Sequence, residues 1–138
     1  MKNYILFIIL LFSISTKSQT LKDLEKTDKN YSDCIDKSMC SGCCTRDYSE
    51  TVDKLLNETY KSLLAKAKND KEKESIKVDQ RKWLANRKFA YAKILKDLEK
   101  ESEVKYKDFG TMDKDLLLIG QTSYQYERVE YLIKKLNK

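Results

Sequence analysis

The chain has 138 residues, 36% of them charged, and its 28 Lys and Arg against 22 Asp and Glu give a formal charge of +6. It contains no histidine and no proline, which removes the side chain best suited to acid–base work near neutral pH. Positive and negative residues are interspersed, and no basic run is longer than a pair such as Lys134-Lys135, so no nucleic-acid or anionic-membrane footprint is expected.

Residues 1–18 have the three parts of a signal peptide: Lys2, an apolar run from Tyr4 to Ile14 broken only by Ser13, and small Thr16 and Ser18 before Gln19. The run is too short for a membrane span, which needs about 20 apolar residues. The expected mature chain starts near Gln19 and is exported, periplasmic or secreted, with no membrane span. Lys2 and Lys17 leave with the signal, which lowers the charge to +4.

All four cysteines fall in one short stretch, Cys34, Cys40, Cys43 and Cys44. In an oxidising compartment such a cluster reads as disulfides. A bond between adjacent Cys43 and Cys44 would distort the peptide. Two pairings remain: Cys34–Cys44 with Cys40–Cys43, or Cys34–Cys43 with Cys40–Cys44. A four-thiolate zinc site is disfavoured, because such sites present two separated ligand pairs. Cys40-Ser41-Gly42-Cys43 has the spacing of a redox motif, but the βαβ setting usual for one is missing, so structural bonds are expected.

In chain order, residues 19–32 read as a polar, flexible segment with at most a short turn at Leu21 to Lys26. From about Ser49 a helical stripe runs through Val52, Leu55, Leu56, Tyr60, Leu63, Leu64 and Ala67. Asn69-Asp70 interrupts it, and both residues cap helices well. A second, longer stripe holds Ile76, Trp83, Leu84, Ala90, Ile94, Leu95 and Leu98. After a break at Tyr106 to Asp113 the third includes Leu116, Ile119, Tyr126, Val129, Ile133 and Leu136. The expectation is all-α: a small bundle of about three helices over residues 33–138, its N-terminal segment stapled by disulfides.

Polar residues share the apolar faces. Asp53, Asn57 and Tyr60 lie along one face of the first helix, and Gln80, Trp83 and Arg87 along one face of the second. If the chain reverses at Asp70, Asp53 faces Arg87, Asn57 faces Trp83 and Tyr60 faces Gln80. This predicts an Asp53–Arg87 salt bridge and a Tyr60–Gln80 hydrogen bond, a buried polar seam that would set the register of the hairpin.

These residues also carry a family resemblance. Asp33-Cys34, Cys44, Asp53, Leu56-Asn57, Tyr60 and then Gln80-Arg81-x-Trp83-Leu84-x-x-Arg87 resemble the pattern of the LprI-type N-terminal domain family, small exported bacterial domains named for a lysozyme inhibitor. Glu127-Arg128 with Leu132 is similar to a weaker C-terminal element. The resemblance implies a helical, exported protein and a Cys34–Cys44 bond, which leaves Cys40–Cys43 as the second. It lacks the cysteine that family members often carry just after the position of Arg87. The shared residues are expected to act as interhelical fold determinants.

The function expected on this basis is a binding protein similar to lysozyme inhibitors, blocking a cell-wall glycosidase with the Asp70–Glu74 turn or the Lys107–Lys114 loop. The alternative is an exported module that binds another secreted or envelope protein. No enzyme activity and no cofactor are expected, since there is no histidine and no Gly-rich phosphate loop.

Overall fold

The computed structural model describes residues 19–138, so the expected signal segment lies outside the described residues. Four α-helices follow one another, α1 Leu21–Lys37, α2 Ser41–Lys66, α3 Asp70–Ser102 and α4 Thr111–Leu136, with a single 3-10 turn at Tyr106–Asp108. The bundle is all-α among the described residues, with four helices where about three were expected.

The additional helix is α1, and it corrects the expectation of a flexible segment over residues 19–32. Its propensity is modest, but its ends are well held. Thr20 caps it in a capping box: its hydroxyl accepts the Asp23 N–H while the Asp23 carboxylate accepts the Thr20 N–H at 2.8 Å. Leu24 and Thr27 are buried against the rest of the bundle, and Tyr31 stacks on Tyr48 of α2 with ring centroids 4.6 Å apart. Cys34 is bonded to Cys44 near the start of α2, and Cys40 is bonded to Cys43. Each covalent tie over so short a loop is worth about 2–3 kcal/mol.

The connections follow from capping chemistry. Asn69 caps α3 by accepting the Glu72 N–H at 2.9 Å, and the Glu72 carboxylate accepts the Lys68 N–H at 2.7 Å. The tight α2–α3 turn therefore satisfies its own orphan donors. At the other end α3 stops at Glu103, which takes a left-handed conformation with φ of 56°. Phe109, 4% exposed, is packed inside. Its burial ties down the middle of the Lys107–Lys114 loop, whose other residues stay largely exposed.

The core lies between α2 and α4. Val52, Leu56 and Leu63 of α2 and Val129, Leu132, Ile133 and Leu136 of α4 form one buried cluster, joined by Leu24 of α1 and Ile76 of α3. Gly42 on α2 lies beside Asp115 on α4, and Lys66 at the far end of α2 donates to the Leu136 carbonyl at 3.3 Å. The two central helices thus run parallel. The 33-residue α3 runs antiparallel to them and leans on α4 far more than on α2.

Candidate binding groove between α2 and α3

Because α3 rests on α4, a groove of about 360 Å³ stays open between α2 and α3. Asp53, Leu56, Asn57 and Tyr60 line it from α2, and Lys77, Gln80, Arg81, Leu84 and Arg87 line it from α3. Of the motif residues from Asp53 to Arg87, all but Trp83 line this groove. The two faces look at each other across an opening.

The predicted polar seam is absent. Asp53 forms no ion pair with Arg87; its carboxylate accepts from the Asn57 side-chain amide at 3.1 Å, one turn along the same helix. The Arg87 guanidinium lies instead over the rings of Trp83 and Tyr91, 5.6 and 5.9 Å from their centroids. Tyr60 makes no bond to Gln80. The physical reason is the position of α4. It packs against both helices and takes Gln80 and Trp83 for its own contacts.

Those contacts centre on Arg128 of α4, 7% exposed. Its Nη2 donates to Asp79 Oδ2 at 3.0 Å and to Gln80 Oε1 at 2.9 Å, and its Nε donates to the same Gln80 oxygen at 3.1 Å. The guanidinium plane also lies 5.6 Å from Trp83 and 4.8 Å from Tyr131. Trp83 stacks on Tyr124 with 10° between the rings. Burial alone would raise the Asp79 carboxyl, but Arg128 and Lys135 outweigh it and hold the group below its usual 3.8. The ion pair that joins α3 to α4 is therefore Asp79–Arg128, with the arginine buried and the carboxylate partly exposed. Asp79 carried no motif signal, and Arg128 stood only in the weaker C-terminal element.

The groove itself is polar and basic. Asp53, Asn57 and Arg81 are exposed, Leu84 is 43% exposed, and buried Leu56 supplies an apolar floor. Lys77, Arg81 and Arg87 outnumber Asp53, although Glu74 on the rim pairs with both Arg81 and Lys77. An arginine near two aromatic rings and without an ion pair of its own, as Arg87 is here, suits a carboxylate. Among the described residues no cluster of histidine, cysteine or acidic side chains could hold a metal ion, and no helix is long and apolar enough to cross a membrane.

A second, smaller hollow of about 190 Å³ lies between α1 and α2 beside the Cys34–Cys44 bond. Above it Tyr48 donates to Asp28 at 2.8 Å. Burial, reinforced by Asp28, pushes the Tyr48 hydroxyl well above the ordinary phenol range, and the same causes act on Tyr126. Neither tyrosine is poised to lose its proton.

No curated protein and no solved structure shows significant similarity to the chain. Its residues 30–132, however, match the family model described as lysozyme inhibitor LprI, a span that covers α2, α3, most of α4 and the disulfide cluster. The chain belongs to the lysozyme inhibitor LprI family.

Proposed function

We propose that this is an exported protein that binds lysozyme-type glycosidases and blocks them, with the α2–α3 groove as its docking face. Membership of the family over residues 30–132 is the observation that carries this proposal. The disulfide-tied fold supports an oxidising, extracytoplasmic location. Enzymes of this class work with two carboxylates in a cleft. An arginine such as Arg87, braced by Trp83 and Tyr91 and flanked by Lys77 and Arg81, has the chemistry to engage them.

The test is a lysis assay with the mature chain, residues 19–138, titrated into several lysozymes acting on peptidoglycan. Inhibition at near-stoichiometric ratio is expected, with Arg87→Ala weakening it by about tenfold or more, the loss of one charge-assisted contact. Unchanged lysis by every lysozyme at micromolar excess would sink the proposal.

The charge of +4 on residues 19–138 favours a second possibility. A basic glycosidase would be repelled at long range, whereas an acidic secreted or envelope protein would be drawn to the same groove. Pull-down from an envelope extract, with retention lost on Arg87→Ala and recovery of an acidic protein in place of a lysozyme, would favour this alternative.

A further inference from the structure

The two disulfides sit in different surroundings. Cys44 is 2% exposed, which places its bond to Cys34 against the interior. Cys40 and Cys43 are both exposed, and their bond closes the four-residue run Cys40-Ser41-Gly42-Cys43 at the start of α2. Cys40 is the N-cap of that helix, and its Sγ accepts the Cys43 backbone N–H at 3.3 Å. The first turn of α2 carries no acidic residue of its own. A thiolate at Cys40 would thus meet a backbone donor and the positive end of a 26-residue helix. The carboxylate of Asp115 on α4 lies beside Gly42, where an added Cβ would come within 3.0 Å of its Oδ2.

We propose that Cys40–Cys43 is a thiol–disulfide exchange site, opened by small thiols and dithiols while Cys34–Cys44 stays intact. The incoming thiolate attacks Cys43 Sγ. The Cys40–Cys43 bond breaks, and Cys40 leaves as the thiolate held by the Cys43 N–H. A second thiol, deprotonated, attacks the small-molecule sulfur of the mixed disulfide. That releases the oxidised small molecule and the Cys43 thiolate, which takes a proton from solvent. Two thiols have then become one disulfide and the protein disulfide has become two thiols, with two electrons transferred. Oxidised glutathione returns the site by the reverse steps. The βαβ setting usual for such a motif is absent, but the features that bear on exchange are exposure, a helix start and a donor to sulfur, and all three are here.

The test uses the folded mature chain in glutathione buffers of graded composition, followed by rapid alkylation and peptide mapping by mass. Cys40 and Cys43 should become modifiable together at least about tenfold faster than Cys34 and Cys44, and a Cys40→Ser variant should trap glutathione on Cys43. Once the bond is open, Cys40 should alkylate before Cys43. Release of all four cysteines together, or of none until the chain is unfolded, would overturn the proposal. So would faster alkylation of Cys43, which would remove the stabilised leaving thiolate. A Cys40→Ser, Cys43→Ser double variant retains the Cys34–Cys44 tie, and its exchange should fall to background; persistent exchange in it would equally reject the assignment.

Discussion

Arg128 donates two hydrogen bonds to the single Oε1 of Gln80 while its other contact reaches Asp79, so one side chain of α4 clamps two neighbouring residues of α3. Truncating it leaves Gln80 buried without its donor and removes packing from Trp83 and Tyr131. Arg128→Ala should cost about 3–5 kcal/mol, the range for breaking a buried pair. Asp79→Ala leaves the buried Arg128 guanidinium without its counter-ion, which Lys135 cannot replace, so it should also cost about 3 kcal/mol, the low end of the same range because the carboxylate is partly exposed. Urea unfolding midpoints of the two variants would check that both sides of the clamp matter.

The same pair makes stability depend on acid. The Asp79 carboxyl is held below 3.8 in the fold, so the unfolded chain takes up this proton first as pH falls. Its contribution is complete above about pH 4 and is lost as pH drops through the folded value. The gap in stability between the parent and Asp79→Asn should therefore be widest near neutrality and close on acidification. Unfolding midpoints measured from about pH 7 down to about pH 2.5 would show this.

Groove residues should behave differently from the clamp. Asp53 and Asn57 are exposed, and Arg87 rests on ring faces without an ion pair. Asp53→Ala, Asn57→Ala and Arg87→Ala should each change stability by no more than about 0.5 kcal/mol. Gln80→Ala, which strands the Arg128 donors, should cost about 1–3 kcal/mol. If the three groove variants unfold as easily as Gln80→Ala, these residues hold the fold and do not form a free surface.

Much of this architecture was legible from spacing alone. The stripes of α2, α3 and α4 follow helical periodicity, and Asn69 marks the turn by its capping chemistry. What was not legible is which helix α3 would choose. A hairpin register says which residues of α2 and α3 lie at the same height, and Asp53 and Arg87 do share one groove. It cannot say that a third helix will hold the two apart. The α1 helix is harder to read because its apolar face, Leu24, Tyr31 and Cys34, is thin and interrupted by buried Thr27, while its ends are held by the Thr20–Asp23 cap and a disulfide. The Thr20-x-x-Asp23 spacing was the available signal.

Close approach of α3 and α4 rests on a glycine. A Cβ at Gly120 would lie 2.7 Å from Cγ2 of Ile94. Alanine should gain about 1 kcal/mol of helix propensity, but forcing the branched methyl aside costs about 1–3 kcal/mol. Gly120→Ala should therefore be neutral to moderately destabilising, and Ile94→Leu, which moves the branch away from Cβ, should restore stability in the double variant. A thermal or urea double-mutant cycle would read a favourable coupling. Simple additivity would mean that the helices yield without strain.

The wedge position of α4 separates two tasks within the molecule. The width of the groove is set by Arg128, Trp83 and Gly120, none of which lines it, while its chemistry is set by Asp53, Asn57, Arg81 and Arg87, which carry little of the packing. Substitutions can therefore alter the polarity and charge of the groove without moving its walls, and changes in α4 can open or narrow it without altering its charge. A family built on this frame could diverge in target one parameter at a time, with selectivity and spacing inherited independently.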